Sequence, residues 1–143
     1  MTFGRLVLGL LLLWAAGTDI AWRRIPNPLI CVGLAVFTIE AAWLWCVGEI
    51  DFLTGCVLAG IIAFVLHLIP YLLRSMGAGD VKLALITGLL LGWEAWLDYL
   101  GLFCAASLLV SGCVLLTGKH GRRTLPLAPV MASAYILYCI CVL

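Results

Sequence analysis

FLTGCVLAGIIAFVLHLIPYLL, Phe52–Leu73, decides the fold: it runs without a single Asp, Glu, Lys or Arg. A helix needs about 20 apolar residues to cross the hydrocarbon core of a bilayer, and this stretch supplies them. Working outward, the short polar turn Gly48-Glu49-Ile50-Asp51 separates it from a second apolar run, Leu29 to Val47. Before that, Arg23-Arg24-Ile25-Pro26-Asn27-Pro28 cannot continue a helix, because each proline lacks an N–H and restricts the residue before it. A further run covers Phe3 to Ala21. Downstream, Arg74 to Asp80 holds two glycines and is followed by runs from Val81 to Leu97, Tyr99 to Thr117 and Leu125 to Leu143. The break between the fourth and fifth, Trp96 to Leu100, is marked by Glu94, Asp98 and the Trp/Tyr pairing of a membrane interface. The expectation is an all-α, polytopic transmembrane bundle of six spans, forming a single domain over residues 1–143.

Composition agrees. The chain is 66% hydrophobic and 10% charged, with a mean hydropathy of +1.24. A soluble domain carries roughly a quarter charged residues, so a surface this poor in charge suits lipid. Lys and Arg number 8 against 7 Asp and Glu, and that near-neutral balance excludes a nucleic-acid binder, which needs a basic face. The seven cysteines form no CxxC pair and no His–Cys cluster, so no zinc spacing exists and no metal or cofactor is expected. They read as small buried hydrophobes; Cys46 and Cys56, flanking one loop, could pair in an oxidising compartment.

Basic residues orient the spans. Arg23, Arg24, Arg74, Lys119, Arg122 and Arg123 fall in the first, third and fifth loops, with Lys82 just inside a span; Glu49, Asp51, Glu94 and Asp98 fall in the second and fourth. Odd loops are therefore expected in the cytoplasm and both termini outside. Read instead as a signal peptide, Met1 to Gly17 would invert or shift this pattern, against the charges.

Counting spans puts two carboxylates at one face: Asp19 near the end of the first span and Asp80 at the start of the fourth. Ionisable groups at membrane depth are costly and usually functional. Two carboxylates close together in a low-dielectric site share one proton and can hold a water between them. On spacing alone a second account is as good: Asp80 caps its helix and Asp19 pairs with Arg23 one turn on. Gly77-Ala78-Gly79 directly before Asp80 favours function, since glycine permits an unusual turn and close approach of a substrate strand. Lys82 can snorkel to the interface, and Asn27 can order the loop beside Asp19 through a local turn bond.

Three segments carry a resemblance: Thr18-Asp19-Ile20-Ala21-Trp22-Arg23-Arg24-Ile25-Pro26-Asn27, Gly77-Ala78-Gly79-Asp80-Val81-Lys82-Leu83, and Leu125-Pro126-Leu127-Ala128-Pro129. Together they resemble the bacterial prepilin peptidase family, the GxGD-type aspartic peptidases, over nearly the whole chain. The resemblance implies a bacterial inner-membrane endopeptidase that cleaves the basic leader from type IV pilin-like precursors at the cytoplasmic face. Asp19 and Asp80 would be catalytic, with Gly77, Gly79, Lys82, Pro26 and Asn27 shaping the site. Larger members carry paired CxxC motifs and methylate the new N-terminus. This chain has neither CxxC nor a glycine-rich cofactor loop, so peptidase activity alone is expected, as in short members associated with Flp/tight-adherence pili. A presenilin-like protease shares GxGD but carries its other Asp in a Tyr-Asp string on the preceding span, unlike Thr18-Asp19.

Two readings from other classes are a small transporter or channel subunit, using Asp19, Glu40 and Asp80 as an ion path, and a non-catalytic assembly factor of a secretion system. Glu40, mid-span, reads as a structural hydrogen-bonding residue with His67 or a tyrosine hydroxyl as partner. Pro70 is expected to kink the third span. Small residues such as Gly55, Ala59, Gly60, Gly88 and Gly92 read as helix-packing positions, and the six tryptophans as interface anchors.

Overall fold

The computed structural model describes residues 2–74, 76–116 and 127–142. Among these the chain forms six helices and no strand: α1 (Thr2–Trp22), α2 (Asn27–Val47), α3 (Ile50–Leu72), α4 (Ala78–Leu91), α5 (Trp93–Leu116) and α6 (Ala128–Val142). Four are long and apolar enough to cross a membrane: Phe3–Trp22, Asn27–Val47, Ile50–Leu72 and Trp93–Cys113. The protein is a multi-pass membrane protein. The fifth loop, with Lys119, Arg122 and Arg123, and the Leu125-Pro126 start of the third motif lie outside the described residues.

One boundary moves. The break between the fourth and fifth helices is at Gly92 and not at Trp96–Leu100. Gly92 has φ 78°, a left-handed conformation open to glycine at little cost, and its N–H closes α4 on the Gly88 carbonyl at 3.1 Å. A Cβ there would meet Phe52 at 2.9 Å. The Glu94 and Asp98 signal marked the first turns of α5 rather than a break. Helix α4 is consequently short, 14 residues or about 21 Å, and from Val81 to Gly92 all but Lys82 and Leu85 are buried.

Helix α4 lies closest to α3. A Cβ on Gly88 would sit 2.6 Å from the Ala59 carbonyl oxygen, and one on Gly60 would strike Leu89, so the two backbones touch through Ala59, Gly60 and Gly88, as small residues allow between membrane helices. Helix α6 docks on α1 and α5. Tyr135 donates to the Arg5 carbonyl at 2.6 Å and Tyr99 to that of Met131 at 3.4 Å.

Several polar side chains find partners other than those expected. Glu40 accepts the Gly4 N–H at 2.7 Å, bracing α2 against the first turn of α1, whose N–H groups have no helical partner. His67 bonds within its own helix, Nδ1 to the Ala63 carbonyl at 2.8 Å, and lies against Phe103. Trp96 is 2% exposed and belongs to the core, unlike the exposed Trp14, Trp22, Trp43 and Trp45. Cys46 is exposed, Cys56 is buried, and both are free thiols.

The helix ends sort by charge. The start of α1, the end of α2 and the starts of α3 and α5 share an open cleft of about 1240 Å³ lined in part by Glu49, Asp51, Glu94, Asp98 and Arg5. At the other end of α4 stand Arg23, Arg24, Arg74 and Lys82, all exposed.

Candidate active site

Asp19 and Asp80 stand at the basic end of the bundle, away from the large cleft, which neither lines. Asp19 sits in the last turn of α1, half-buried beside buried Thr18. The Thr18 hydroxyl donates within the helix to the Ala15 carbonyl at 3.0 Å. The helix stops after Trp22 because Arg23 turns left-handed, φ 52°, donating its N–H to the Asp19 carbonyl at 2.9 Å. The Asp19 carboxylate is engaged elsewhere: Oδ2 accepts the Ala128 N–H at 3.3 Å. Arg23, the partner suggested by spacing, is bound to Asp19 through the backbone only.

Beyond Arg23 the chain extends through Ile25 and Pro26, whose φ of −68° and ψ of 135° precede the first turn of α2. This loop lies on the start of α4. A Cβ on Gly79 would come within 2.9 Å of the Ile25 Cβ, so the glycine admits a segment of the chain itself. Gly77 differs from expectation. Its φ of −79° and ψ of 148° form an extended N-cap that any residue adopts, so no special turn requires glycine there. Asn27 takes a distant partner in place of a local turn bond: its Oδ1 accepts from Lys82 Nζ at 3.4 Å. Three of the singled-out positions, Asn27, Gly79 and Lys82, thus meet together with Ile25 where the loop touches α4.

Asp80 occupies the first turn of α4, ahead of the apolar stretch. It caps the helix, Oδ2 accepting the Gly77 N–H at 3.3 Å, while Oδ1 is buried with no hydrogen-bond partner. Capping and a free oxygen coexist on one side chain. Burial first, and the charge of Asp19 second, push its carboxyl up to about 6, against the Gly77 N–H, which favours the ionised form. The two carboxylates therefore influence each other across the fold. A pair with one protonated and one ionised member can orient a water, take its proton and give one to a leaving group. Among the described residues no three His, Cys, Asp or Glu side chains converge as a metal ligand set.

Sequence reasoning missed Ile25 and the Ala128 amide. Ile25 lay inside a quoted motif, and only the fold shows that Gly79 receives it. Ala128 lay inside the third motif, to which the sequence attached no task.

Comparison with known proteins is consistent with this arrangement. The type IV leader peptidase family matches residues 6–116. The chain is 29% identical over 132 residues to a protein of Bacillus subtilis (strain 168) described as "Prepilin leader peptidase/N-methyltransferase", covering 89% of this chain and 51% of that protein. The chain thus spans about half the length of the curated relative it matches. No solved structure matches.

Proposed function

Because the chain belongs to the type IV leader peptidase family, we propose that it is a membrane-embedded aspartic endopeptidase that removes the basic leader from type IV pilin-like precursors, of the Flp type, with Asp19 and Asp80 activating the attacking water. The observation that carries this reading is the presence of both carboxylates at the basic end of the bundle, with the buried Oδ1 of Asp80 free of hydrogen-bond partners. The ionised member of the pair takes a proton from water as it attacks the peptide carbonyl; the protonated member donates to the carbonyl oxygen or the leaving amine. The pair titrates as a unit. Methyl transfer is not part of the proposal.

The exposed Arg23, Arg24, Arg74 and Lys82 at the carboxylate end favour placing that end in the cytoplasm, by the positive-inside rule, with the termini of the chain on the opposite side. The apolar helix of a precursor would lie in the bilayer against the peptidase while its leader stays in the cytoplasm. The scissile bond then falls at the depth of the carboxylates, at the interface, so that no helix need be unwound within lipid.

The test is co-expression with a pilin-like precursor and mass spectrometry of the new N-terminus. Asp19→Ala and Asp80→Ala, each inserted at wild-type levels, are expected to leave the precursor uncut. Normal cleavage by either variant would remove the assignment.

A further inference from the structure

Helix α6 opens at Ala128, and the first N–H groups of any helix lack an intrahelical acceptor. In apolar surroundings such a group must find another. Pro129, the next residue, carries no N–H at all, so Ala128 supplies the leading donor of this helix. Ala128 is fully buried, and its N–H is aimed at Asp19 Oδ2 across 109 positions of sequence.

The aim is held from several sides. The Leu127 carbonyl accepts the Met131 N–H at 3.0 Å, fixing the first turn. The Tyr99 hydroxyl on α5 grips the Met131 carbonyl, and the Tyr135 hydroxyl grips the Arg5 carbonyl on α1. Helix α6 cannot slide along α1 without breaking the Tyr135 bond. Helix α1 is itself held at its first turn by Glu40 through Gly4. The donor and the carboxylate are thus each mounted on a braced helix.

We propose that Ala128, through its backbone N–H, is a positioning residue for Asp19: it holds Oδ2 and thereby presents Oδ1 to the attacking water. This rests on the catalytic reading of Asp19 given above. An amide donor to a carboxylate is among the stronger hydrogen bonds. A length of 3.3 Å suits an unloaded site, since catalytic hydrogen bonds are often long until substrate binds. Without the donor, Asp19 at the end of its helix rotates freely, and misplacing a reacting group by about 1 Å costs up to about a hundredfold in rate.

The test removes the N–H while keeping the helix. Proline is favoured at a first helical position, and the restriction it places on its predecessor falls on Leu127, already outside the helix. In vesicles, with a precursor carrying a basic leader and an apolar helix, Ala128→Pro is expected to lower kcat roughly tenfold or more, in line with loss of a hydrogen bond to a charged group, with KM little changed. Ala128→Val, which is bulky yet keeps the N–H, is expected to recover most of that loss. Wild-type kcat in Ala128→Pro, or equal losses in both variants, would overturn the proposal. A second measurement needs no activity. In protein labelled with 15N-alanine, the Ala128 amide, assigned by its absence from Ala128→Gly, should move upfield in Asp19→Ala. An unmoved resonance would overturn the proposal even where Ala128→Pro fails to accumulate. Failure of the catalytic reading is separate: it would show as normal cleavage by Asp19→Ala, whatever the amide does.

Discussion

Lys82 Nζ donates to Asn27 Oδ1 at 3.4 Å, tying the second turn of α4 to the first turn of α2. Both residues are exposed, so the bond alone contributes little stability; its effect is to hold the loop after Asp19 against the helix that carries Asp80. Asn27→Ala and Lys82→Met are each expected to slow precursor cleavage a few-fold. In the double variant the losses should not add, as for residues in direct contact. Additive losses in a double-mutant cycle would show that the two act separately.

Gly79 makes a sharper test of the same contact. Gly79→Ala places a methyl 2.9 Å from the Ile25 Cβ, and overpacking of this kind costs about 1–3 kcal/mol. Cleavage and melting temperature should both fall. Ile25→Gly in the same chain should restore part of each, because it removes the Cβ that the new methyl would meet along with the atoms beyond it. Gly77→Ala, where the backbone is ordinary, is expected to be milder; a loss as large as that of Gly79→Ala would argue against the Ile25 contact as the cause.

Asp80 sets a pH dependence whose sign follows from its surroundings. Its carboxyl is raised from an ordinary 3.8 to about 6, so between these values the folded protein binds more protons than the unfolded chain. The stabilisation from a neutral Asp80 is complete below pH 3.8 and is lost as pH rises through about 6. Thermal unfolding in detergent at pH 5, 6 and 7.5 should show stability falling along this series, and Asp80→Asn should flatten the trend. A wild-type trend of opposite slope would contradict the buried, Asp19-facing position.

Gly88 and Gly17 separate two meanings of glycine in one class of helix. At Gly88 a Cβ would meet backbone atoms of Ala59 and Gly60, which cannot yield; at Gly17 nothing lies within 4 Å. Alanine is otherwise the better helix former by about 1 kcal/mol. Gly88→Ala is therefore expected to lower the melting temperature and Gly17→Ala to hold or raise it, measured on purified protein in detergent.

Much of this was legible in advance because the bilayer imposes simple rules. Apolar length gave the helices, and polar breaks gave their ends to within a few residues at Trp22, Val47 and Leu72. The α4–α5 junction was misplaced because Gly92 breaks the helix through its backbone alone, within an apolar run, while the acids beyond it mark only exposure at the cleft. Trp96 was misread because aromatic residues at a helix end are usually interfacial, and only packing shows this one turned into the core. At the site, the two carboxylates and the loop motif were visible as residue types at set spacings. Their joining was not: Ile25 against Gly79 and the Ala128 amide against Asp19 are contacts of backbone and methyl groups, which leave no pattern in sequence. Glu40 is similar, since its partner is a main-chain N–H that every residue but proline possesses.

The Asp19–Ala128 bond also has a direction in time. Translation at ~5–20 residues per second leaves roughly 5–20 s between the appearance of the carboxylate and that of its donor, for residues 109 apart. Asp80 is made within that interval, so both aspartates precede the backbone donor that the last helix brings to Asp19. The Asp19–Ala128 bond is thus one that only a chain translated past its last helix start can form, which makes it a late contact of the fold.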